Sequence, residues 1–270
     1  MKHYITILFL LVFFNAIGQL ADSTQLHSIK IVSGNYSSFS VDNLDNIYLL
    51  STSNQLKKLN NKGDSVAVFN NIKRFGEATL VDASNPLKIL LYYKSFATIV
   101  ILDGMLNQKN VIDLRKSNMF RVSAVALSYD GKIWLYDELE NCIKKINDKG
   151  ELIFKTPDLR QVFSETLSPV KIFDQNQYLY LYDSQKGIYV FDYYGAFKTR
   201  IDITGWHSFR ISNNYAWGTD STNIYNYEIP VLRTTTLPLP DSIRNYKQLW
   251  IGTNYSYGLN DKGLHIMSIP

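Results

Sequence analysis

Val122-Ser123-Ala124-Val125-Ala126-Leu127 runs into Ser128-Tyr129-Asp130-Gly131, then into Ile133-Trp134-Leu135-Tyr136 and the polar stretch Asp137-Glu138-Leu139-Glu140-Asn141. Cys142-Ile143-Lys144-Lys145-Ile146 follows, then Asn147-Asp148-Lys149-Gly150, then Glu151-Leu152-Ile153-Phe154. Asp-Gly and Lys-Gly steps mark tight turns, because glycine accepts positive φ without steric cost. The segment therefore predicts strand, turn, strand, loop, strand, turn, strand: one antiparallel meander of four.

The same grammar recurs along the chain. Phe39-Ser40-Val41, Asn43-Leu44-Asp45-Asn46, Ile47 to Leu50, Leu56 to Leu59, Asn60-Asn61-Lys62-Gly63 and Ser65 to Phe69 repeat it upstream. Val170 to Phe173, Tyr178 to Tyr182, Gly187 to Phe191 and Phe197 to Ile201 repeat it downstream. Weaker copies run from Ala78 to Leu114 and from Ser208 to Leu239. Anchored at Tyr48, Leu90, Trp134, Tyr180, Trp217 and Tyr257, the copies are spaced by 42, 44, 46, 37 and 40 residues. A four-stranded unit at this period is the mark of a propeller blade. The sixth copy, from Leu249 to Pro270, holds only three strands, and His27-Ser28-Ile29-Lys30-Ile31-Val32 is an orphan strand with no turn partner. Pairing the orphan as the outer strand of the last blade closes a six-bladed, all-β ring and leaves few free sheet edges.

The first residues read as a processing signal. Lys2 is basic, Ile5 to Phe14 is apolar apart from Thr6, and Ala16-Ile17-Gly18 offers small residues for cleavage. Ten apolar residues are too few to span a bilayer as a helix, which takes about 20. The expected division is a signal over 1–18 and a single propeller over 19–270, exported to the periplasm or beyond. With the last copy running to Pro270, no appended sorting domain is expected, and periplasmic retention is preferred to surface display.

Net charge is +4 with Lys2 and +3 without it, too small to point to nucleic acid or an anionic membrane. Cys142 is the only cysteine, so the fold has no internal disulfide, and its apolar neighbour Ile143 places it as a small buried thiol. Lys57-Lys58 and Lys144-Lys145 read as solvated strand faces.

The repeat resembles the NHL-type six-bladed propellers, whose blades read roughly as an apolar strand, Asp-X-X-Gly-Asn-Ile-Tyr-Val, Asn-X-X-Ile-X-X-Phe and Asp-X-X-Gly. Val41-Asp42-Asn43-Leu44-Asp45-Asn46-Ile47-Tyr48 with Leu59 to Gly63 matches it, with Asp45 in place of the glycine. Ser128 to Leu135 with Ile143 to Gly150 also matches, with Ser128 in place of the first Asp. The resemblance implies a fold and no particular chemistry.

Propellers commonly bind at the mouth where the chain enters the innermost strands. Glu77, Arg121, Glu165, His207, Arg210 and Lys247 stand there as candidate ligand-binding residues, with Tyr36 and Ser168 beside them. A calcium-dependent lactonase of this architecture needs several hard oxygen ligands. Glu77 can begin such a set, but Ser123, Ser128, Ser168 and Ser208 supply no further carboxylate. His207 is the one histidine placed to act as a base, and it has no nucleophile or carboxylate partner in sequence. Asp137, Asp183 and Asp220, with Asn260, recur after the second strand of successive blades, where Asp and Asn bond their own backbone.

The 19 Tyr, 14 Phe and 4 Trp mostly fill the gaps between blades, while Tyr92-Tyr93 and Tyr193-Tyr194 fall at strand ends or turns where aromatics anchor interfaces. No catalytic residue set, cofactor motif or metal-binding spacing stands out. The expected role is a monomeric, non-enzymatic binding or scaffold module that meets another envelope protein. A small ligand or glycan is the other candidate partner, and the calcium-dependent hydrolase is the enzymatic alternative.

Overall fold

The structure, a computed structural model, describes residues 27–70, 74–252 and 255–268. The expected signal stretch lies outside them.

Blade one comprises β2 (Tyr36–Val41), β3 (Ile47–Ser51), β4 (Leu56–Leu59) and β5 (Ser65–Phe69). Blade two comprises β6 (Leu80–Asn85), β7 (Lys88–Tyr93), β8 (Thr98–Asp103) and β9 (Gln108–Asp113). Blade three comprises β10 (Val122–Leu127), β11 (Ile133–Asp137), β12 (Cys142–Ile146) and β13 (Leu152–Lys155). Blade four comprises β14 (Lys171–Gln175), β15 (Tyr178–Asp183), β16 (Gly187–Asp192) and β17 (Phe197–Ile201). Blade five comprises β18 (His207–Ser212), β19 (Tyr215–Thr219), β20 (Asn223–Glu228) and β21 (Arg233–Pro238). Blade six takes β22 (Gln248–Ile251), β23 (Tyr255–Asn260) and β24 (Gly263–Ser268), and its outer strand is β1 (His27–Ser33). Every sheet is antiparallel and four-stranded.

The ring closes as the orphan strand required. In β1, Ile31 pairs with His265 and Ser33 with Gly263. The Lys30 ammonium then reaches into blade one, donating to Asp64 at 2.8 Å and to the Gly63 carbonyl at 3.1 Å.

Alternation within the second strands builds the core. In β3, Tyr48 and Leu50 pack forward on Ile89, Leu91 and Tyr93, while Ile47 and Leu49 pack backward on Tyr257, Leu259 and Ile266. In β11, Trp134 and Tyr136 face blade four, while Ile133 and Leu135 face blade two. A strand covered on both faces reads as an unbroken apolar run rather than an alternating one. The core is thus six layers between neighbouring blades. The layer between blades five and six is the thinnest, built on Leu239, Ile243, Leu249 and Met267.

Two details depart from the reading of the sequence. Tyr92 and Tyr93 are buried in the layers on either side of blade two rather than exposed. Lys58, Lys144 and Lys145 are also buried, because their side chains lie in the faces of β4 and β12 against polar and aromatic partners, Lys145 over the Trp134 ring among them. Lys58 donates to the Gly104 carbonyl of blade two at 2.8 Å, and Lys144 pairs with buried Asp137 at 2.7 Å.

Candidate functional site

The upper face, where each innermost strand begins, carries most of the candidates. Glu77 is exposed ahead of β6, and His207 is exposed at the start of β18. Arg121 lies 3.6 Å from Glu138, whose other oxygen accepts from the Ser168 hydroxyl at 3.3 Å, so Glu138 joins these two positions. Glu165 pairs with Lys186 at 3.0 Å and accepts from the Tyr189 hydroxyl at 2.9 Å, and these partners hold its carboxyl below its ordinary value. Lys247 pairs with Asp261, and the Tyr36 hydroxyl donates to the Ser33 carbonyl at 3.1 Å. Only Arg210 among the six candidates lines the central channel.

The recurring acids of the upper loops serve those loops. Asp137 accepts from the backbone of Leu139 and Glu140, Asp183 from Gln185 and Ser168, and Asp220 from Thr222 and Asn223. Asn260 accepts from Lys262. Among the described residues, no three His, Cys, Asp or Glu side chains converge to cage a cation. Cys142 is buried, and burial pushes its thiol up to about 12.

Two cavities occupy the ring axis. The central channel has a volume of about 420 Å³ and is walled by the innermost strands of all six blades. Below it, where those strands end, a wider cleft of about 1140 Å³ opens between the turns of blades three and four.

The cleft is built on one carboxylate. Asp174 of β14 accepts from the Ser128 hydroxyl at 2.8 Å, the Tyr129 amide at 3.2 Å, Trp134 Nε1 at 2.9 Å and the Tyr193 hydroxyl. Those donors fix Tyr129 and Tyr193 in a parallel stack, with centroids 4.9 Å apart and planes 6° apart. The Lys145 ammonium sits 4.6 Å from the Trp134 ring and 5.3 Å from Tyr129, and pairs with Asp130 at 2.8 Å. Tyr129 is nevertheless 73% exposed and Tyr194 is 90% exposed. Asn43, Asn85, Asn176 and Gln177 add amides around them. The remaining charges cancel locally, since Lys198 pairs with Asp192 at 2.8 Å and lowers the pKa of its carboxyl. The cleft therefore offers rigid aromatic faces and amides with little net charge.

Tyr193-Tyr194 was legible as an aromatic pair at a turn; Tyr194 is exposed, while Tyr193 is half-buried against the core. Asp174 and Lys171 are absent from the sequence candidates, although a charged residue in an otherwise apolar innermost strand is a signal that a sequence carries.

No protein-family model matches the chain, and no curated protein does. Among solved structures, the chain is similar to a streptogramin B lyase (16% identity, 86% of this chain and 78% of that one, TM-score 0.59). It is similar to the WD40 domain of Neurospora crassa Pan2 (11% identity, 91% and 82%, TM-score 0.62). A catalytically inactive virginiamycin B lyase from Staphylococcus aureus, with quinupristin, gives 14% identity over 91% and 88% at a TM-score of 0.59. Neighbours of this fold thus include both enzymes and WD40 domains, and likeness at such identities speaks to architecture alone. The chain is a six-bladed β-propeller.

Proposed function

We propose that this chain is an exported, non-enzymatic binding propeller of the NHL-like type, and that it holds a protein partner at the lower cleft. The observation that carries this is the cleft's chemistry. Tyrosine supplies large, rigid, amphipathic contact area at low entropic cost, and asparagine supplies adaptable hydrogen bonds, the combination that protein-binding loops favour. Tyr129 and Tyr194 are open to solvent, Tyr129 held by Asp174 and Lys145 and the Tyr194 amide donating to Asp192. The apolar leader supports export. A glycan is the second reading, favoured by the open face of the stacked Tyr129, and a glycan array separates the two.

The test is capture of partners from the native envelope fraction by the mature protein and by a Tyr129→Ala/Tyr194→Ala variant, read by mass spectrometry. A stoichiometric partner lost in the variant supports the reading. A partner held equally by both proteins sinks it, and calcium-dependent hydrolysis of a lactone or ester by the purified protein replaces it with the enzymatic alternative.

A further inference from the structure

The central channel contains two cations that no carboxylate among the described residues neutralises. Lys171, the first residue of β14, is enclosed by the innermost strands, with part of its surface on the lumen. Among the described residues its ammonium has one hydrogen-bond partner, the Phe209 carbonyl, to which it donates at 3.0 Å. That carbonyl belongs to the peptide bond leading into Arg210, and the two cations line one channel from blades four and five. The Arg210 guanidinium reaches blade six, lies 4.6 Å from the Trp250 ring and 5.8 Å from Trp217, and donates to the Ile251 carbonyl. An ammonium has three donors and a guanidinium five. Most of them have no acceptor among the described residues.

The channel's acids do not answer these charges. Asp42 accepts from the Leu44 and Asn46 amides, Asn46 Nδ2 and the Tyr48 hydroxyl. Asp82 accepts from the Ser84 and Leu127 amides, and Asp174 from its four donors. Each carboxylate thus has several donors within the fold, and none forms an ion pair with Lys171 or Arg210 among the described residues. Taking a cation out of water costs free energy that carbonyl contacts offset only in part. Burial accordingly brings Lys171 down to about 8 and Arg210 to about 10. Ser208, whose Oγ accepts from the Leu249 amide at 2.8 Å, keeps its own proton to donate from the same wall.

We propose that the channel binds a small oxyanion, a carboxylate or phosphate group, on the wall that Lys171 and Arg210 line. An anion there supplies the missing counter-charge and accepts the unmet donors, in a site where low dielectric strengthens each contact. Trp217 and Trp250 flank the guanidinium and exclude water from one side of it. Asp174 lines both this channel and the lower cleft, but Lys171 and Arg210 line only the channel, so the anion site is tested independently of the partner bound below.

The experiment is titration of the purified mature protein with inorganic phosphate and with malonate at constant ionic strength. It is followed by tryptophan fluorescence, which Trp217 and Trp250 report, and by thermal denaturation. The expected result is a saturable response to at least one of the two anions, with sodium chloride giving none. Arg210→Gln and Lys171→Met are each expected to weaken the affinity at least 10-fold. Lys171→Met keeps an aliphatic chain in place of lysine's and so provides a second reading if Arg210→Gln fails to fold. No saturable response to either anion overturns the proposal. So does a response that survives undiminished in Lys171→Met, which marks an ion bound elsewhere.

Discussion

Trp134 Nε1 donates to Asp174 Oδ2 at 2.9 Å, joining the second strand of blade three to the innermost strand of blade four across 40 residues of sequence. In blade one the residue equivalent to Trp134 is Tyr48, and its hydroxyl donates at 3.0 Å to Asp42 of its own blade. Blade three has Ser128 where blade one has Asp42, and the missing carboxylate is supplied by the neighbouring blade, which also takes the Ser128 hydroxyl. A repeat position lost in one blade is thereby converted into a tie between two.

Asp174→Asn is therefore expected to destabilise the protein by about 2–4 kcal/mol, because four donors lose a charged acceptor at a partly buried site. Asp82→Asn, where the side chain accepts only from two backbone amides, is expected to cost less. Urea denaturation followed by tryptophan fluorescence compares them, and equal costs would refute the central place given to Asp174.

Lys171 sets a pH dependence of stability. Its pKa falls on folding, from about 10.4 in an unfolded chain to about 8. The native state thus binds this proton more weakly than the unfolded state does. The resulting penalty is full below pH 8 and is relieved as pH rises towards the unfolded value. In buffers free of oxyanions, Lys171→Met is expected to be more stable than wild type at pH 7, on the order of 2 kcal/mol. That gain should shrink towards zero near pH 10. A gain that does not change with pH contradicts the assignment.

Cys142 is expected to resist alkylation. With its thiol buried and pushed up to about 12, little thiolate exists at pH 8. Iodoacetamide labelling of the native protein should proceed only at the rate of unfolding, and should become fast in denaturant. Rapid labelling of native protein would show that the thiol is accessible.

Gly258 in β23 lies beneath the Tyr246 ring, where an added Cβ would stand 2.8 Å from the ring carbons. Gly258→Ala is expected to cost about 1–3 kcal/mol through overpacking, and to cost little in a Tyr246→Ala background. Thermal melts of the four proteins of this cycle measure the coupling, and additive costs would mean that the ring moves aside freely.

Blades one, three and four were legible because their second strands are unbroken apolar runs bounded by Asn, Asp and Gly turns. At such turns Asp45 adopts a φ of 59°, doing the work of Gly131 at 75° in blade three. Ring closure was legible because His27 to Val32 has the strand pattern and no local partner. Blade five was faint because β20 carries Asn and Tyr at half-buried positions and β21, rich in Thr, buries none of its side chains. The candidate site was less legible. Strand pattern places residues along a blade but does not say which acids are consumed by loops, as Asp137, Asp183 and Asp220 are. It also does not show that turns distant in sequence, such as those at Tyr129 and Tyr194, meet around one cleft.

The most direct measurement places a photo-crosslinking residue at Tyr194 in the lower cleft, or at exposed Leu139 on the upper face, and irradiates cells expressing each protein. A discrete protein adduct from position 194 and none from position 139 is the result expected of a binding module that works through its lower cleft. An adduct from position 139 alone would contradict it and return the binding face to the mouth where the innermost strands begin.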